Sequence, residues 1–491
     1  MHKRLLILLL ATLWTGLSAA SSPGDDLPDM GSPANATLSL NDEYQIGLMI
    51  VRGLRDQGQL VEDPEINEYI QSLGSSLAAH AQEGSQRFRF FVVRDSRINA
   101  FALPGGFVGV NQGLILATQS ESELASVLAH EIAHVTQRHI ARSIQAQGRQ
   151  SLASAAAILA AILIGATTGA GGDVMQGAIA VAQGTAAQQQ INFTRSNEYE
   201  ADRVGIGYMA AAGYDPQAMP QFFETMARHT GAGSALPEML QTHPVTRNRI
   251  AESMARAAQM HVDVRTPTVS YGLMRERIRV ITAPLETDPR NFYARQADDG
   301  SAAFAYGKAL SELERGVPTE AEIDLRALLA RFEGIPALQS ALAQAQIKAG
   351  DLQGGMATFE RALQISPRNL PLTIRYAEAL MANGNPKLAH ALLLDLFNNV
   401  APTPEQIRLT ALAAASAGDT GDAYFYMGEY HIASGDLPLA VRQFELALAA
   451  PSLTEVQRKR FMARMQEVKD YLAAQPARRQ NAESQAQRRG R

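Results

Sequence analysis

The chain has 491 residues, of which 46% are hydrophobic and 19% charged, with a formal net charge of −5. It is too long for one compact core, too polar for a polytopic membrane protein, too apolar for a disordered chain and too acidic for a general nucleic-acid binder. It contains no cysteine, so it holds its fold without disulfides, by core packing and metal ligands other than thiolates.

Met1-His2-Lys3-Arg4, an apolar run from Leu5 to Leu17 and the small residues Ser18-Ala19-Ala20 read as a secretory signal peptide over residues 1–20. The run is short of the roughly 20 apolar residues that a membrane span needs, so cleavage after Ala20 is expected rather than an uncleaved anchor. Residues 21–40, rich in Pro, Gly, Ser and Asp, form a flexible leader. Apolar residues at three- and four-residue spacing predict helices around 42–57 and 64–81, and the alternation of residues 87–93 predicts a strand. Two short extended pieces flank the Pro104-Gly105-Gly106 turn. The second piece, Phe107, Val108, Gly109 and Val110, is a candidate edge strand to which an extended substrate could add.

A helical pattern then runs from Ser120 to about Gln145, with Glu121 and Glu123 where the helix dipole favours acids. Residues 151–170 are the most apolar internal stretch and reach the length of a membrane span. Their small residues and flanking glutamines predict instead a helical hairpin with 174–183, buried or lying against a membrane surface. A further helix over 192–212 carries an acidic cluster. Beyond a linker at 266–300 the chain is Ala-, Leu- and Glu-rich helix, and Gly316, Gly350, Gly384 and Gly418 recur every 34 residues. Such a period marks stacked helix-turn-helix repeats resembling tetratricopeptide repeats, placed at 301–475. Gly418 to Gly435 is only half the period, which suggests a missing or altered helix. The polar, basic residues 476–491 are expected to be a disordered tail.

The chemistry concentrates in His130-Glu131-Ile132-Ala133-His134. Two histidines one helical turn apart share a face and can meet one metal ion, and Glu131 beside them can take a proton from a metal-bound water. The motif is short and recurs by chance, so it needs a third ligand in its support. The run Glu198-Tyr199-Glu200-Ala201-Asp202 supplies one: Glu198 and Asp202 lie on one helix face, so Glu198 can ligate the metal while Asp202 holds a histidine from behind. Glu200 points elsewhere and reads as a solvated charge, and His139 reads as a solvent contact off the ligand face.

Together with Asn99-Ala100-Phe101 upstream, these residues resemble the HtpX and CAAX-prenyl-protease type of zinc metallopeptidases, gluzincins whose third ligand is the first Glu of an E-x-E-A-D run. The resemblance implies a mostly helical α+β zincin-like domain with a small sheet at 41–265, followed by the all-α repeat solenoid, and one Zn2+ per chain. It also implies that His243, in His243-Pro244-Val245-Thr246-Arg247, can occupy the open metal position in a resting state. With the signal peptide and the repeats added, the chain is similar to periplasmic members of the family. The implied clients are misfolded or stalled outer-membrane β-barrel proteins, and the implied partner of the repeats is their assembly machinery. The rival reading is a non-enzymatic periplasmic adaptor or chaperone whose metal site is structural or silenced. A third is an integral membrane peptidase with 151–170 inserted.

Overall fold

A computed structural model describes residues 39–81, 87–146, 195–229, 237–451 and 453–489. The expected signal peptide, nearly all of the leader and the expected hairpin at 151–183 lie outside the described residues. The N-terminal part opens with α1 (Leu40–Asp56), capped by the Ser39 hydroxyl, and α2 (Pro64–Ala78), whose N-cap Asp63 accepts from the Ile66 N–H at 3.0 Å. Three strands follow, β1 (Arg89–Val93), β2 (Ala100–Leu103) and β3 (Phe107–Asn111), and then the short α3 (Gln112–Ala117).

The sheet order is β1-β3-β2, with β1 parallel and β2 antiparallel to β3. Phe107, Val108, Gly109 and Val110 are therefore the middle strand, paired on both sides, and cannot receive an added substrate strand. Its apolar run, buried at every position, is what a two-sided central strand requires. The outer strands are β1, bridged near its end by Leu60 opposite Val93, and β2, which among the described residues has no further partner strand.

Next come α4 (Glu121–Thr136), α5 (His139–Ala146), α6 (Arg195–Ala211), α7 (Ala218–His229), α8 (Glu238–Thr242) and α9 (Arg247–Ala257). Helix α4 is the spine of this part and is buried along nearly its whole length. Helix α6 crosses it closely because residue 205 is glycine: a Cβ there would lie 3.1 Å from the Ala129 carbonyl and the His130 nitrogen. A hydroxyl contact of 3.0 Å between Thr136 and Tyr208 fixes the same crossing.

The stretch predicted as a linker contains α10 (Val269–Ile281) and α11 (Arg290–Arg295), and α10 buries Tyr271, Leu273, Met274 and Ile278. Through it a single hydrophobic core runs from Val61 to Ala345, so the two parts of the chain share packing rather than a tether. The repeats are α12 (Ala302–Arg315), α13 (Pro318–Arg331), α14 (Pro336–Lys348), α15 (Leu352–Ile365), α16 (Leu370–Ala382), α17 (Pro386–Phe397), α18 (Pro404–Ala417), α19 (Thr420–Ala433) and α20 (Leu437–Ala449). No helix is missing at the half period: α18 and α19 are consecutive helices, each followed by a left-handed glycine, Gly418 (φ 86°) and Gly435 (φ 82°). The last helix, α21 (Glu455–Arg489), runs through the stretch expected to be disordered. Its Ala, Gln, Glu and Arg residues are all good helix formers.

A buried ion network fastens α2 to both later parts. Arg277 donates to both oxygens of Asp63 at 2.8 Å and to Glu65 at 3.0 Å, and Arg375 donates to Asp63 at 2.7 Å and to Glu65 at 3.0 Å. Ser340 donates to Glu65 at 2.8 Å. Further along, Arg52 of α1 pairs with Asp436 at 3.1 Å. Among the described residues no helix is long and apolar enough to cross a membrane.

Candidate metal centre

The site is built where α4, α6 and the turn after α8 meet. On α4, His130 and His134 project from successive turns, with their Nε2 atoms 3.0 Å apart. The Gly205 crossing brings α6 close enough that Glu198 places its oxygens 3.5 Å from the Nε2 of each. His243 caps the short α8 and puts Nδ1 3.0 Å from Glu198 Oε1. The four residues His130, His134, Glu198 and His243 are all buried, and one ligand atom from each lies within 4.8 Å of the others.

Both oxygens of the buried Glu131 carboxylate lack a hydrogen-bond partner. Uncompensated carboxylate oxygens at such depth are costly unless a cation or bound water meets them. Burial would push His130 down, yet Asp202 and Glu198 beside it raise its pKa to about 10. Burial, together with the charge on His130, holds His134 well below its ordinary value. Glu198 is held well below the usual carboxylate range against its own burial, chiefly by His243 and His130. The carboxylates favour a proton on His130, while burial and the charge of His130 leave His134 with a neutral ring. The donor set of three imidazoles and one carboxylate suits a transition metal better than calcium or magnesium.

Behind these four residues stand groups that fix them. Asp202 Oδ1 is 3.0 Å from His130 Nδ1. Asp202 is gripped in turn by Arg249, whose Nε and Nη2 donate at 2.7 Å each. Burial would raise the Asp202 carboxyl, but Arg249 and His130 keep it below its ordinary value. Arg249 also donates to the Pro244 carbonyl at 2.9 Å, approaches Glu198 Oε2 at 2.8 Å and lies over the Phe223 ring. It thus ties the His243 turn to the ligand helix. Sequence reading passed over Arg249; the one available signal was Thr246, whose hydroxyl caps α9 and so sets Arg249 in its first turn.

Two sequence expectations fail here. His139 is fully buried rather than solvent-facing, with Nδ1 2.7 Å from His134 Nδ1. Glu200 is not a free surface charge: it contacts His139 Nε2 at 3.2 Å and accepts from Arg142 at 3.0 Å. Burial keeps His139 below its ordinary value in spite of Glu200.

The profile of Peptidase family M48 matches residues 64–257, and a tetratricopeptide-repeat profile matches 346–413. The beta-barrel assembly-enhancing protease of Escherichia coli is 33% identical over 479 residues, 96% of this chain and 97% of that one. A Vibrio cholerae relative is 44% identical over 294 residues, covering 59% of this chain but only 60% of its own length. A mitochondrial metalloendopeptidase of Arabidopsis thaliana is 30% identical over 193 residues, 39% of this chain and 36% of its own.

Proposed function

The chain belongs to Peptidase family M48 and is a metallopeptidase with a tetratricopeptide-repeat region, and from that premise we propose that it is a periplasmic zinc endopeptidase acting on outer-membrane β-barrel proteins during assembly. The observation that carries the reading is the buried cluster of His130, His134, Glu198 and His243 beside the Glu131 carboxylate, whose buried oxygens accept no hydrogen bond. His130, His134 and Glu198 would hold Zn2+, which would supply Lewis acidity toward a water and the scissile carbonyl. Glu131 takes the proton of the attacking water and returns it to the departing amine. Asp202, clamped by Arg249, keeps His130 oriented.

At rest His243 would complete the group that holds the ion. Its Nδ1 lies 3.0 Å from Glu198 and its Nε2 3.7 Å from Glu131, across the space an attacking water needs. The outer edge of β2, the strand that neighbours α4, rather than residues 107–110, binds clients as an added strand, selecting extended conformation over sequence. The name of the Escherichia coli relative supports β-barrel clients and their assembly machinery as partners. The repeats, packed on α2 through Arg375, support a docking role for that region.

The test is Glu131→Gln in the full chain, scored for zinc content and for degradation of an unfolded β-barrel protein. One zinc per chain with proteolysis abolished is expected. Residual proteolysis at the wild-type rate would remove Glu131 from the chemistry; loss of proteolysis with assembly assistance intact would assign the repeats a separate chaperone role.

A further inference from the structure

We infer that His139 and Glu200 form a positioning pair that fixes the tautomer and ring orientation of the metal ligand His134. The inference rests on the zinc reading above. For His134 to offer Nε2 to a metal, its ring proton must sit on Nδ1. That Nδ1 faces His139 Nδ1 at 2.7 Å, so His139 must accept there and carry its own proton on Nε2. Nε2 in turn faces Glu200 Oε2 at 3.2 Å, and Glu200 is held by Arg142 at 3.0 Å. Each donor in the chain from His134 to Glu200 then meets an acceptor, and only one tautomer of each ring satisfies it.

The backbone is arranged to make this contact. Helix α4 ends at Thr136, and Arg138 adopts a left-handed φ of 53°, uncommon for a residue with a side chain. Its guanidinium is held by Glu43 at 2.6 Å. The reversal swings His139 back under His134, where a continuing helix would have carried it round to another face. The arrangement mirrors the grip of Asp202 on His130: α6 orients His130 directly through Asp202, and His134 through Glu200 and the intervening His139 of α5.

The experiment measures the zinc dissociation constant of the full chain by competition with a chelating dye, with circular dichroism as the check on folding. His139→Leu removes the acceptor and is expected to weaken zinc binding about 10–100-fold, the range for partners of metal-bound histidines. His139→Asn keeps an acceptor oxygen near the Nδ1 position and is expected to recover affinity to within about threefold of wild type. Glu200→Ala, at a partly exposed position that folding tolerates, is expected to weaken binding about fivefold and stands in if the leucine variant does not fold. Wild-type affinity in His139→Leu or Glu200→Ala overturns the pairing, as does a folded asparagine variant as weak as the leucine one. Failure of the wild-type chain to bind zinc overturns the zinc reading and the pairing with it.

Discussion

Replacing Arg277 with Met removes four hydrogen bonds at once, two to Asp63, one to Glu65 and one to the Tyr306 hydroxyl. Methionine fills much the same volume, so packing is disturbed little. What remains is two buried carboxylates facing one guanidinium, that of Arg375, and so one uncompensated negative charge at a position where Asp63 and Glu65 are 6% and 4% exposed. Stranding a buried charge in this way costs about 3–5 kcal/mol. Arg375→Met should cost less, about 1–3 kcal/mol, because its side chain is 19% exposed and water can replace part of it. Urea unfolding of the two single variants and the double gives a coupling energy, expected to be well above about 0.5 kcal/mol because both guanidiniums share the same carboxylates. A loss under about 1 kcal/mol for Arg277→Met, or simple additivity, would refute the view that this network joins α2, α10 and the repeats into one unit.

The same network sets a pH dependence. Burial would raise the Asp63 carboxyl, but Arg277 and Arg375 bring it from 3.8 to about 2, so its contribution is complete above about pH 4 and disappears as pH falls through about 2; melting temperatures between pH 5 and 2 should fall less steeply in Asp63→Asn. Gly205→Ala, pressing a methyl to 3.1 Å from the α4 backbone, should cost about 1–3 kcal/mol by thermal unfolding and weaken zinc binding by moving Glu198 and Asp202 outward. His243→Ala should raise basal cleavage of a short unstructured peptide while leaving one zinc per chain; a fall in that rate would assign His243 to catalysis instead of closure.

Much of the architecture is legible from residue spacing because the physics is local. Glycines every 34 residues and small residues at fixed offsets foretell the repeats, since each helix pair must end and turn alike. Residues 107–110 show where locality ends. Their short apolar run could be an edge or a centre, and only the parallel pairing with β1, eighteen residues earlier, decides it. The helices at 269–295 went unread for a similar reason: they owe their order to the shared core, not to a strong local signal.

The metal site divides along the same line. His130, His134, Glu198 and Asp202 sit on two regular helices, where i,i+4 spacing fixes a face, so their convergence follows from sequence once the two helices are known to cross. His139 lies three residues beyond the end of α4, and a helical projection carried through Thr136 sends it to the wrong side. The error enters at one dihedral, the φ of 53° at Arg138, which no periodicity encodes. Its sequence trace is only a basic residue, paired with Glu43, 95 positions away. Removing that partner should therefore act on the metal. Glu43→Ala is expected to let Arg138 relax toward a helical φ, loosen the contact of His139 with His134 and weaken zinc binding. Zinc affinity unchanged in Glu43→Ala would mean that the His134–His139 contact holds the turn, rather than the turn holding the contact.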